Sequence, residues 1–177
     1  MRKIYLLCTL LLLVSGWACK KETAPKTPYE ISLQVWTDFK SSAHNNYTYN
    51  TYKLITRDNH FGSEKTKITV ENGIVTKRDF GFYKADATTS SGISDVVTRE
   101  WHEDATTLGS HTIEGAELIT MDDIYAKAKI WLAMDANQNI IYFETKNGGI
   151  ISNAGYQPKD CTGDCMVAIS ISSVAKL

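Results

Sequence analysis

Residues 67–77 read KITVENGIVTK, and this stretch restricts the fold more than any other. Ile68 and Val70 alternate with polar residues before Asn72-Gly73, and Val75 follows it. An Asn-Gly pair tolerates the positive φ angles of a tight primed turn, and such a turn joins adjacent antiparallel strands. The chain is thereby committed to antiparallel sheet at its middle, which a crossover connection would not provide.

The remaining segments extend that pattern. Residues 30–43 (EISLQVWTDFKSSA) repeat apolar groups at Ile31, Val35 and Phe39, with Trp36 widening the stripe, and predict a helix introduced by Pro28. His44-Asn45-Asn46 interrupts it. Residues 47–56 (YTYNTYKLIT) then read as a strand, with Tyr47 and Tyr49 on one face and Tyr52 and Leu54 on the other. Residues 86–92 are small and polar and predict a loop. Residues 96–106 alternate through Val97, Arg99 and Trp101 and predict a further strand. Thr120 caps a second helix, with Asp122 and Asp123 near its positive end and Ile124, Ala128, Trp131 and Leu132 as its apolar face. Residues 139–145 turn at Asn147-Gly148-Gly149 into IISNAGY, a second hairpin signal. Residues 166–174 alternate Val167, Ile169 and Ile171 in a last strand. Two helices and six or seven hairpin-linked strands predict an α+β fold, an antiparallel β-sheet built from hairpins with both helices packed on one face.

The N-terminus sets the expected compartment. Arg2 and Lys3 precede a mostly apolar run over residues 4–14, too short for the roughly 20 residues of a membrane-spanning helix but suited to a signal peptide. Gly16 and Ala18 are small residues placed for cleavage before Cys19. SGWACKKE resembles the lipobox of bacterial lipoproteins, with Gly16 and Trp17 where the usual pattern has Leu and a small residue. CKKE resembles the start of lipoproteins exported to the surface by Bacteroidetes-type bacteria. The resemblance implies that Cys19 carries the lipid, and that the domain is anchored to the outer membrane, facing the periplasm or the surface. Two or more acyl chains anchor a protein stably where one does not. The expected organisation is a signal peptide over 1–18, a flexible tether over 19–29 (rich in charge and proline) and one globular domain over 30–177.

Composition narrows the partners. A mature chain of this length buries about two-thirds of its surface, so its core requires neither metal nor dense disulfides. Net charge is −1, no basic block occurs, and nucleic acid is not an expected partner. Cys8 leaves with the leader and Cys19 with the lipid, so Cys161 and Cys165 remain as a pair in an oxidising compartment.

A second resemblance covers residues 31–174. Trp36, the Tyr47-x-Tyr49 strand, ITVENGIV, TMDDIYAKAKIWL and IYFETKNGGIISNAGYQPKDCTGDC occur in an order similar to a family of uncharacterised bacterial secreted and lipoprotein domains. The resemblance implies a fold and assigns no catalytic residue.

Three groups carry candidate chemistry. In KDCTGDCM (159–166), four extended steps would hold the cysteines about 13 Å apart, so a Cys161–Cys165 disulfide requires a turn, which Gly163 permits. A redox or metal role is the sharper alternative, with Asp160 and Asp164 as weak hard-cation ligands. In EWHEDA (100–105), Glu100, His102 and Asp104 share one strand face, while Trp101 and Glu103 fall on the buried side. His102 with Glu103 and Asp104 would suit a general base or metal ligands, against the plainer reading of a solvated strand face. His44, His60 and His111 sit in loop-like surroundings without a partner pattern. Tyr47, Tyr49 and Tyr52 would serve either as a stacking platform or as core. There is no Gly-rich phosphate loop, H-E-x-x-H or G-x-S-x-G motif. The expected function is a membrane-anchored, non-catalytic binding domain for an envelope protein or ligand, without a cofactor. The alternatives are a secreted hydrolase or metal-dependent enzyme built on His102, Glu103 and Asp104, and a small inhibitor or assembly factor that adds an edge strand to its client.

Overall fold

The computed structural model describes residues 25–57, 60–86, 88–90 and 92–177. Cys19 and the leader lie outside the described residues. Among the described residues nine elements follow in order: α1 (Pro28–Ser42), β1 (Tyr47–Arg57), β2 (His60–Glu71), β3 (Ile74–Ala85), β4 (Ile93–Glu103), α2 (Met121–Leu132), β5 (Asn139–Glu144), β6 (Asn153–Pro158) and β7 (Val167–Lys176). The strands form one antiparallel sheet in the order β4-β3-β2-β1-β7-β6-β5. The fold is therefore α+β: two hairpin meanders joined where β7 pairs with β1, from Tyr47↔Lys176 to Thr51↔Ile171. No helix among the described residues is long and apolar enough to cross a membrane.

The Asn72-Gly73 turn forms as its residues require, with φ of 53° and 78° and Glu71 opposite Ile74. It is also held from outside. His44 and Asn45 adopt positive φ (52° and 59°), which ends α1 and turns the chain into β1. At that corner Gly73 N–H donates to Asn45 O (3.0 Å), Asn72 N–H to Asn46 Oδ1 (2.9 Å) and Leu177 N–H to Asn46 O (3.2 Å).

Both helices start at capping boxes. Thr27 and Glu30 cap α1, and Thr120 and Asp123 cap α2. Helix α1 begins with Pro28, inside the stretch expected as tether, and Tyr29 packs on Tyr125 and Phe143. Its buried face also differs from the expected stripe. Ser32 and Trp36 are buried, whereas Ile31 is 53 % exposed. The face is centred on Trp36, whose indole lies 4.9 Å from Tyr47 and 6.2 Å from Tyr125 and donates to Asp122 Oδ1 at 2.8 Å. Ile31 falls outside that arc. The core continues through Tyr49, Ile68, Val70, Met121, Ile124, Ala128, Ile151, Ala154 and Ile171.

Two strand boundaries move. Strand β4 spans Ile93–Glu103, earlier than the sequence pattern places it. Strand β6 starts only at Asn153, because Ile150 and Ile151 leave the sheet and are buried against α1 and α2; Ile151 N–H donates to Tyr125 Oη (3.3 Å).

Candidate functional site

Cross-strand partners share a sheet face, and the register lays out two rows that decide the chemistry. On the helix-bearing face, Tyr49, Ile68, Arg78 and Glu103 stand side by side across β1, β2, β3 and β4. Thr51, Thr66, Phe80 and Trp101 form the next row. On the opposite face run Asn50, Lys67, Asp79 and His102. His102 and Glu103 therefore point to opposite sides of the sheet.

The connection between β4 and α2, residues 104–120, contains no helix or strand. It folds back as a strap over the helix-bearing face. Arg78 and Glu103, both buried, hold it down. Arg78 Nε and Nη2 donate to Glu103 Oε2 and Oε1, each at 2.9 Å. The same guanidinium donates to the strap carbonyls of Ala116 (2.8 Å) and His111 (2.6 Å). Glu103 in turn accepts from the N–H groups of Gly109 (3.0 Å) and His111 (2.7 Å), from Ser110 Oγ (3.2 Å), and faces His111 Nδ1 at 3.1 Å. Thr66 Oγ1 accepts from Ala116 N–H (3.0 Å), and Tyr49 Oη donates to Ile119 O (2.6 Å).

Aromatic stacking completes the brace. Trp101 stacks with Phe80 (5.0 Å, 13°) and with the His111 ring (4.1 Å, 2°), and the Arg78 guanidinium lies 4.8 Å from the indole. Gly115 has φ +84° and passes so close that a Cβ there would sit 2.9 Å from the indole edge. The stack rather than a hydrogen bond seats the indole, since Trp101 Nε1 is buried without a partner among the described residues. An open hollow of about 300 Å³ remains along the strap, lined by Arg78, His111, Glu114 and Leu118 among others.

The electrostatics match a structural role. Burial pushes the Glu103 carboxyl up, but Arg78, the two backbone N–H groups and His111 outweigh it and hold it well below the ordinary carboxylate range. Glu103 is ionised and surrounded by donors, a poor general base. Burial pushes Tyr47 up to about 12 and Tyr49 higher still, so both hydroxyls stay protonated. Tyr47 Oη accepts from Met121 N–H (3.1 Å) at the start of α2. Tyr47 and Tyr49 are core, 1 % and 0 % exposed, and offer no stacking platform.

The other sequence candidates separate. His102 Nδ1 is 2.9 Å from Asp79 Oδ1 on the exposed face. Asp104 lies beyond the end of β4 and accepts from Thr106 Oγ1 (2.7 Å) and Thr106 N–H (2.9 Å) within its own turn, which lowers its pKa. The expected face shared by Glu100, His102 and Asp104 thus ends at His102. Cys161 and Cys165 lie at disulfide distance, with Cα atoms 6.2 Å apart across the turn that their spacing demanded. Asp160 and Asp164 are exposed. No three His, Cys, Asp or Glu side chains converge on a metal position among the described residues.

The sequence pattern leaves His111 in a loop without a partner, whereas in the structure it bonds Glu103 and stacks on Trp101. Arg78 belongs to none of the motifs that the sequence offers, yet it is the residue that grips the strap. The signal was present: Arg78, Phe80 and Phe82 share one strand phase, as do Trp101 and Glu103, so opposite charges occupy inward positions on neighbouring strands. No family model, curated protein or solved structure matches this chain.

Proposed function

We propose that this protein is a membrane-anchored extracytoplasmic lipoprotein whose domain binds a partner rather than catalysing a reaction. The observation that carries the binding reading is the strap. A structureless connection of this length exceeds the roughly 12–15 residues beyond which such loops are uncommon in compact domains, and loops of that kind are commonly functional. Here the buried side chains of Arg78, Glu103, Thr66 and Tyr49 hydrogen-bond its backbone and fix it to the sheet. A loop ordered before binding loses less entropy on association. The enzyme alternative requires His102, Glu103 and Asp104 together, and they occupy two faces and a turn.

The lipobox-like SGWACKKE supports anchoring at Cys19. Cys161 and Cys165 at disulfide distance suit an oxidising compartment outside the cytoplasm, and we assign them to a disulfide that closes the β6–β7 connection. Metabolic labelling with palmitate tests the anchor. Wild-type protein should take up label and sediment with membranes, and Cys19→Ala should do neither; label retained by Cys19→Ala would end the lipoprotein reading.

A further inference from the structure

We propose that the β5 edge of the sheet pairs with the same edge of a second copy, antiparallel and about a two-fold axis at Tyr142, joining two anchored chains into one continuous sheet. The pairing goes beyond the binding reading above and rests on it only for the membrane anchor.

Among the described residues β5 has one strand neighbour, β6, and its other side is an edge of the sheet. The unpaired backbone groups of that edge can be located. Gln138 O accepts from Lys159 N–H (2.9 Å) and Glu144 O from Ser152 N–H (2.8 Å), so the even-numbered residues direct their backbone groups to β6. That direction alternates along a strand, and the N–H and C=O of Ile141 and Phe143 therefore point away from the sheet. Asn139 N–H is already used, on Asp135 O (3.0 Å).

Open edges are ordinarily blunted by charge, proline or a bulge. The opposite edge is blunted: β4 carries Arg99, Glu100, His102 and Glu103, and its register to β3 shifts twice. Strand β5 has none of these devices. Between Asn139 and Glu144 it reads Ile-Ile-Tyr-Phe, and its register to β6 is unbroken. The core is also open on this side. Phe143 and Tyr29, which rests on it, are half-buried, and Ile141 shares the face of Phe143.

The outward backbone groups require an extended strand as occupant, and the side chains fit this chain's own β5. With Tyr142 on the axis, Ile141 stands opposite Phe143 of the second copy, and the two exchange both backbone hydrogen bonds. These apolar side chains meet on the helix-bearing face, where each closes the open margin of the other's core. Glu144 stands opposite Ile140 of the second copy, so no like charges face each other. The anchor supports the same occupant. Helix α1 begins over this edge, where Tyr29 meets Phe143, and residues 19–27 reach at most about 30 Å from Cys19 even when fully extended. A two-fold axis perpendicular to the sheet keeps both helix-bearing faces on one side, so both tethers start beside the axis and reach one bilayer. A pair of six-residue strands is smaller than the roughly 1,200 Å² of a stable interface, so the copies part in dilute solution. Confinement to one membrane offsets this by raising their effective concentration.

The test uses the full-length protein in membranes of the cells that make it, with single cysteines introduced and a mild oxidant applied. Residues facing each other on such an axis have Cα atoms about 4.5 Å apart, within disulfide reach, whereas copies of a residue two positions away are offset by about 14 Å. Tyr142→Cys should therefore run as a dimer that reductant reverses. Ile140→Cys, Glu144→Cys and, on β4, Glu100→Cys should each stay monomeric, and co-expressed Ile140→Cys and Glu144→Cys chains should cross-link to each other. A monomer at position 142 overturns the pairing. Equal cross-linking at 142, 140 and 100 overturns it too, since that pattern reports random collision. A Tyr142→Cys adduct with a different protein means that the edge takes a foreign strand and that the second copy is wrong. Palmitate uptake by the same variants reads the anchor separately. Label without a dimer counts against the pairing alone, a dimer without label upholds the pairing and ends the lipoprotein reading, and the absence of both defeats both.

Discussion

Glu103 accepts hydrogen bonds from one guanidinium, two backbone N–H groups and a serine hydroxyl, and its side chain is closed to water. Removing one partner of a buried pair leaves the other charge uncompensated, which typically costs about 3–5 kcal/mol. Glu103→Gln should therefore lower stability by about that much, while His102→Gln, whose partner Asp79 lies on the exposed face, should cost under about 1 kcal/mol. The pH dependence follows from the direction of the Glu103 shift. Its folded pKa is depressed, so the stabilisation is fully present above the unfolded value of about 4.3 and is lost as pH falls toward the lower folded value. Urea midpoints at pH 7, 4 and 2.5 should show wild-type protein losing stability over that interval more steeply than Glu103→Gln. Parallel pH profiles for the two would show that Glu103 is not the acid-sensitive group. The pair itself was half legible in the sequence: strand phase puts both residues inward. That they grip residues 109–116 was not legible, because those bonds run to backbone groups, which leave no mark on side-chain composition.

Elements whose geometry is set by local chemistry could be read directly, and those set by tertiary contacts could not. The Asn72-Gly73 hairpin, the caps at Thr120 and the Tyr47–Tyr49 face belong to the first kind. Helix α1 belongs partly to the second: the sequence offers both Ile31 and Trp36, and only the position of Tyr47 and Tyr125 decides that the helix turns Trp36 inward. The late start of β6 has the same origin, since Ile150 and Ile151 are drawn under the helices. Two glycines separate local conformation from tertiary fit. At Gly73 (φ +78°) a Cβ would come no closer than 4.0 Å to a neighbouring atom, so Gly73→Ala should cost only the left-handed backbone penalty, about 1–2 kcal/mol. Gly115 has a similar φ, but its Cβ would strike the Trp101 ring, so Gly115→Ala should cost more and lift the strap. Denaturant midpoints and the near-UV signal of Trp101 distinguish the two. Equal losses of stability, with an unaltered tryptophan signal in Gly115→Ala, would mean that the strap does not depend on this close approach.

At the scale of the molecule, the sheet is two meanders, β1–β4 and β5–β7, welded along one strand pair. The weld is more than hydrogen bonds. A β-bulge between Asn50 and Thr51 shifts the register of β7, so that Ile171 and Val174, three residues apart, both reach the helix-bearing face. Helix α1 then crosses the seam: Trp36 meets Tyr47 from the first meander and Tyr125 ahead of the second, and Ser32 Oγ lies 2.7 Å from Tyr125 Oη. Neither meander has an apolar layer that closes without the other, because Ile68, Val70, Ala154 and Ile171 belong to one cluster. Two independently stable halves are thus excluded by the arrangement of the core, and unfolding should be cooperative across the seam. Hydrogen exchange under mild denaturant measures this element by element. The slowest amides of β2 and β3 should converge with those of β6 and β7 on one opening free energy. Strand β5, at the sheet edge, should open more readily by local fraying. A β6–β7 unit that exchanges through an opening clearly cheaper than that of β2–β3 would show that the seam at β1–β7, and the helix laid over it, do not unite the two halves.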